Sequence, residues 1–223
     1  MDGAALAVLV IVLALVMGMP IMLIAVALPL AVRAERRRKG VLWQWAARHG
    51  WSYAEHSWAQ WVSRLPGGGR RALGVTLSGM VGGRWVTVAE HSYTTTSSSG
   101  DSTSTQTHHY LAVVVVLDRP LPSVAVTGRG AMSKFGRALF GDKPTATGNA
   151  EFDARFRIKS ADPNFARWLV SKPLIDAHLA GIVPDWSLVG QDLLTYRPGR
   201  LRDPNTIPAL TTPLTHVADL LGR

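Results

Sequence analysis

The chain has 223 residues, 47% of them hydrophobic and 17% charged, with a formal net charge of +9 and no cysteine. Without cysteine there is no disulfide, no thiolate nucleophile and no Cys-ligated zinc. The basic surplus beyond Lys39 is scattered and forms no stripe dense enough for nucleic acid, so no nucleic-acid partner is expected.

From Gly3 to Val32 no residue carries a charge. About 20 apolar residues already cross the ~30 Å hydrocarbon core, so residues 1–32 are predicted to form a single transmembrane anchor. Met1-Asp2 lacks the basic side chains of a signal-peptide n-region, which favours a retained helix over a cleaved leader. Pro20 is the expected kink. A basic run follows at once: Arg33, Arg36, Arg37, Arg38 and Lys39. By the positive-inside rule the N-terminus lies outside and the C-terminal domain is cytoplasmic. The same run is expected to meet anionic headgroups, at about 1 kcal/mol per basic residue. Residues 33–50 form this juxtamembrane segment and a helix from Val41 to His49, which Gly50 ends. Trp43 and Trp45 join the basic run as candidate membrane-surface residues, either in an aromatic belt or in core packing.

Residues 51–223 are predicted to be one α+β domain. Trp51 to Tyr53 reads as a short strand and Ser57 to Leu65 as a short helix. Arg71 to Val81 and Arg84 to Tyr93 read as strands joined by the hairpin turn Gly82-Gly83. Between Thr94 and Thr107 every residue except Gly100, Asp101 and Gln106 is serine or threonine, and this stretch is expected to be a mobile loop. His108 to Asp118 is a third strand. Its run from Leu111 to Leu117 is apolar on both faces, which places it centrally in the sheet. Pro120 and Pro122 are expected to break it before a fourth strand, Ser123 to Thr127.

Further on, Ala131 to Phe140 reads as a helix, Asp142 to Asn149 as a loop and Glu151 to Lys159 as a strand. Asp162-Pro163 is a helix start, with a cap residue and proline at the first helical position. Pro173 to Ala180 forms another turn of helix closed by Gly181. Trp186 to Val189 and Asp192 to Tyr196 read as a final hairpin. Pro204 and Pro208 punctuate the approach to a last helix, Leu214 to Leu221. The fold class is α+β: one N-terminal transmembrane helix followed by an antiparallel β-meander packed with several helices.

Motifs of chemistry are sparse. Gly67-Gly68-Gly69-Arg70-Arg71-Ala72 has the spacing of a dinucleotide fingerprint, but a proline precedes it and a strand follows. Gly136 to Lys143 falls short of a phosphate loop, with Asp142 where the lysine should be and no Ser or Thr directly following. No G-x-S-x-G elbow places a serine nucleophile. His91, His108 and His109 flank the Ser/Thr stretch and, with Glu90 near, are the candidate zinc ligands. Adjacent His108 and His109 point to opposite faces of a strand, however. No catalytic residue and no cofactor is assigned.

Several of these features occur together: His49-Gly50-Trp51-Ser52-Tyr53, Tyr93-Thr94, Thr107-His108, Leu121-Pro122, Phe152, Phe156, and Asp162-Pro163-Asn164-Phe165-Ala166. In this the chain resembles a group of uncharacterised actinobacterial single-span membrane-anchored proteins, a domain of unknown function. The resemblance implies a bacterial inner membrane and supplies no activity. The expected function is a membrane-tethered, non-enzymatic interaction module with a membrane or cytosolic protein partner. One alternative is a hydrolase or metal-dependent enzyme using His91, His108 and His109. The other is an accessory subunit of a membrane transport or envelope complex.

Overall fold

The computed structural model describes residues 27–67, 72–100, 102–129 and 144–222. The transmembrane anchor expected over 1–32 is corrected here. Among the described residues no helix is long and apolar enough to cross a membrane. The described helix α1, residues 27–49, carries the run Arg33 to Lys39 within it, and charges at such a depth are costly in hydrocarbon. Residues 1–26 of the expected span lie outside the described residues. The single-pass topology, with its outside N-terminus and cytoplasmic domain, loses its support with the span.

The chain divides into two compact units, Met1–Gln44 and Trp45–Arg223. The second holds a seven-stranded antiparallel sheet. Its strands are β1 (Ser52–Glu55), β2 (Val75–Val81), β3 (Arg84–Ser99), β4 (Ser102–Gly128), β5 (Pro144–Thr145), β6 (Phe156–Ser160) and β7 (Trp186–Pro198). Their spatial order is β1-β2-β3-β4-β6-β5, with β7 also paired to β4. The helices are α2 (Ala150–Arg155), α3 (Pro163–Leu169), α4 (Lys172–Leu179) and α5 (Ile207–Leu221).

Local signals explain most boundaries. At the end of α1, Gly50 has φ +68° and the Trp51 N–H donates to the Ala46 carbonyl at 2.8 Å, a Schellman closure. Gly82 and Gly83 both take positive φ, as a two-residue turn between right-twisted strands requires. The Asp162 carboxylate accepts from the Asn164 and Phe165 N–H groups and so starts α3. Asn149 does the same for α2, accepting from Phe152 N–H at 3.0 Å. That cap turns the expected strand Glu151 to Lys159 into a helix followed by the shorter strand β6.

The central strand β4 is 27 residues long. Pro120 and Pro122 bend it without ending it. They lie where its pairing with β7 shifts register, between Val116 and Val124, so the ladder loses no N–H that it needs. Opposite them Gly190, at φ +60°, lets β7 follow the bend as one strand rather than the expected hairpin. The stretch 94–107 is also a correction. Thr94 pairs with Thr107, and the ladder continues to Ser99 opposite Ser102, so β3 and β4 extend as a two-stranded arm instead of a loop.

Both faces of the sheet centre are covered. On one face Ala89, Ala112, Val114 and Leu194 pack with Trp61 and Val62 of the 3-10 turn Gln60–Arg64. On the other lies α5, which buries Ile207, Leu210, Leu214, Val217 and Leu221 at helical spacing against β3, β4 and β7. Helix α5 begins seven residues before its expected start because Pro208 sits in its first turn and Pro213 is tolerated within it. The expected helix Ala131 to Phe140 lies outside the described residues.

Leu214, on the sheet-facing side of α5, is fully buried. Leu214→Ala is expected to lower the unfolding free energy by about 2–5 kcal/mol. Urea denaturation measures this directly, and a loss well below that range would mean that α5 does not close this face.

Candidate functional site

The histidines singled out in the sequence come to the root of the β3–β4 arm. His91 stands opposite Tyr110, and Tyr93 opposite His108, so these four share one face. His91 is 1% exposed and its Nε2–H donates to the Pro66 carbonyl at 3.0 Å. The Tyr93 ring stacks on His108 at 4.9 Å and on Tyr110 at 5.9 Å, and Tyr110 meets Tyr196 edge-on at 5.8 Å. His108 Nε2 pairs with the Thr95 hydroxyl at 3.1 Å. His109 lies opposite Ser92, on the other face.

Among the described residues no group of three or more His, Cys, Asp or Glu side chains is placed to hold a metal ion. The metal-dependent reading of His91, His108 and His109 is therefore corrected. The physical reason is register: Tyr93 occupies the space between the two same-face histidines, and alternation turns the third away.

This face works as an aromatic ladder. Burial, then hydrogen bonding to Tyr93, raises the Tyr110 phenol. Burial, with Tyr110 and Asp185 next, pushes Tyr196 up to about 12. Gly67 seats the Tyr93 ring, and any β-carbon there would overlap it.

The candidate membrane-surface residues lie along α1. Arg33, Arg36 and Arg37 are exposed, while Arg38 and Lys39 are half-buried. Arg38 forms an ion pair with Glu35 at 2.7 Å. Trp43 is 57% exposed. Trp45 stacks on His49 at 4.2 Å and meets Trp51 edge-on at 5.5 Å.

A concave feature with mixed chemistry lies elsewhere, between α5 and the β4–β7 pair. It is a groove of about 330 Å³. Leu111 and Val113 of β4 face it beside Arg197 and Thr195 of β7, their register partners. Leu210 and Pro213 of α5 form the facing wall. Pro184 and Asp185 close one side. Asp185 is held from two directions: its backbone carbonyl accepts from the Thr195 hydroxyl at 2.7 Å, and its Oδ1 accepts from the Gly128 N–H at 2.9 Å. Burial raises the Asp185 carboxyl above the usual range, and the Gly128 hydrogen bond opposes part of that rise.

Sequence reasoning missed this groove. It treated β7 as a hairpin, which separates Thr195 and Arg197 from β4, and it started α5 too late to include Leu210 and Pro213. The signal it could have used is the spacing Ile207, Leu210, Leu214, Val217, which continues one helical stripe through both prolines.

A second buried group escaped notice. His178 of α4 is 1% exposed, accepts from the Trp186 Nε1–H at 3.0 Å and lies among Phe152, Phe156 and Trp186. Burial lowers its pKa from 6.5 to about 4.

The fold has a counterpart among solved structures. It is similar to the crystal structure of the mycobacterial trehalose monomycolate transport factor A, TtfA, with a TM-score of 0.53 over 83% of this chain and 95% of that one. The two sequences are 15% identical, so the likeness is one of fold. No protein-family model and no curated protein matches the chain. The resemblance to single-span membrane-anchored proteins is thus corrected: the likeness found is to a transport factor, and no described helix is long and apolar enough to be such a span.

Because His178 folds in the neutral form, its contribution to stability is fully present above pH 6.5 and is lost as pH falls toward 4. The expected loss approaches ~3 kcal/mol, at about 1.4 kcal/mol per pK unit. His178→Phe is expected to remove this part of the pH dependence, which stability curves of both proteins at pH 7, 5.5 and 4 will measure.

Proposed function

We propose that the chain is an accessory factor of an envelope transport complex, one that holds an amphiphilic cargo and leaves its covalent bonds intact. The observation that carries this reading is the fold likeness, over 83% of this chain and 95% of the other, to a protein whose name makes it a transport factor for trehalose monomycolate. The groove beneath α5 supports it, since it joins apolar walls to a carboxylate and a guanidinium. The interaction-module reading that depended on a membrane tether gives way to this one.

The arm supplies the surface for a protein partner. Among the described residues, β3 pairs from Tyr93 to Ser99 with β4 and with no other strand. Among the described residues, β4 pairs with β3 alone from Ser102 to His108, and at His109 the Gly199 N–H takes up the backbone carbonyl at 3.0 Å. No described residue of either segment is Lys, Arg, Asp, Glu or Pro. Natural proteins place such residues on open strand edges to prevent pairing, and an edge without them is a template for an added strand.

The test is a pulse-label of envelope lipids in source cells lacking the protein. Export of an amphiphilic lipid is expected to slow severalfold while its synthesis continues at the normal rate. Unchanged export of every labelled class would refute the reading, and a block in synthesis would favour an enzyme instead.

A further inference from the structure

The groove under α5 carries two charged side chains of opposite sign, Asp185 and Arg197, on otherwise largely apolar walls. Among the described residues no ion pair joins them. Asp185 is nevertheless fixed in place, by the Gly128 N–H at its Oδ1 and by the Thr195 hydroxyl at its backbone carbonyl. Arg197, an exposed side chain, lies two residues beyond Thr195 on the same side of β7, and Thr195 is the residue that holds the Asp185 carbonyl. A partly buried carboxylate and a guanidinium left without each other are two polar anchors at the edge of an apolar slot.

The charges select the head of a ligand. A fatty-acid head would bring a second carboxylate beside Asp185. A cationic head would bring like charge to Arg197. An uncharged head with several hydroxyls can donate to Asp185 and accept from Arg197 at once. The volume limits the tail. At about 330 Å³ the groove lies at the small end of ligand pockets, which suits a short alkyl chain with part of a head group.

We propose that this groove is the binding site of a single-chain amphiphile with an uncharged polyhydroxyl head, such as an alkyl glycoside. Its chain lies between Leu111 and Val113 below and Leu210 and Pro213 above, and its hydroxyls meet Asp185 and Arg197. The assignment names the cargo class of the transport reading and rests on that reading for its biological meaning, while the binding itself depends only on the groove.

The experiment titrates the full chain with n-octyl β-D-glucoside below its micelle concentration, following backbone amide shifts by NMR. Saturable shifts are expected at Thr195 and Arg197, with octanoate and octyltrimethylammonium each binding at least fivefold more weakly. Ala209→Trp places a large ring at the groove from an exposed position, so the fold is spared, and it is expected to weaken binding at least tenfold. Asp185→Asn keeps an oxygen for the Gly128 N–H and is expected to weaken the glucoside more than the other two ligands.

No saturable shift, or equal affinity in wild type and Ala209→Trp, would overturn the site. Tighter binding of either charged amphiphile would overturn the head assignment. Glucoside binding in the test tube with normal lipid export in cells lacking the protein would leave the site standing and remove the transport reading. An export defect without glucoside binding would do the reverse.

Discussion

The bend in β4 is the constraint on which the rest of the second unit depends. One strand serves two sheet halves: Tyr110–Val115 lies between β3 and β7, and Val124–Val126 between β6 and β7. Strand β7 must therefore turn with it, which it does at Gly190. Arg64 secures that turn. Its Nη1 donates to the carbonyls of Ser187 and Asp192, on either side of Gly190, and contacts the Ser187 hydroxyl. The guanidinium is 2% exposed, and burial lowers its pKa to about 10, with Asp192 opposing the shift. Burying a cation is costly, and these acceptors offset the cost where the ladder itself is interrupted.

The groove follows from the same bend. Because β7 stays continuous, Thr195 and Arg197 remain beside Val113 and Leu111, and the segment before Trp186 returns to Thr195 and Gly128. Glu90, on the same face as Leu111, accepts from the Leu201 N–H at 2.9 Å and so directs the chain from β7 toward α5. Asp185, Arg197 and Leu210 thus arrive at one place from separate stretches of sequence, without any local motif.

That explains what was legible in the sequence. Turns and caps were, because their chemistry is local: Gly50, Gly82-Gly83 and Asp162 each set a boundary through a backbone requirement of one or two residues. The central place of Leu111 to Leu117 was also legible, since a strand apolar on both faces has to be covered twice. Signals that depend on pairing were not. The Ser/Thr stretch 94–107 has no apolar alternation, and its strand form is carried outward from the register of β3 and β4. Pro120 and Pro122 read as breaks, although they sit where a register shift between β4 and β7 accommodates them. The histidines show the same limit, because only the register reveals Tyr93 between His91 and His108.

The account ties a groove to a transport role, and one measurement joins the two most directly. Cells lacking the protein would be complemented with wild type or with Ala209→Trp at equal abundance, and export of pulse-labelled envelope lipids would be followed. The account predicts that wild type restores export and that Ala209→Trp, folded and present, does not. Full restoration by Ala209→Trp would contradict it, and would show that the space beneath α5 has no part in what the protein does.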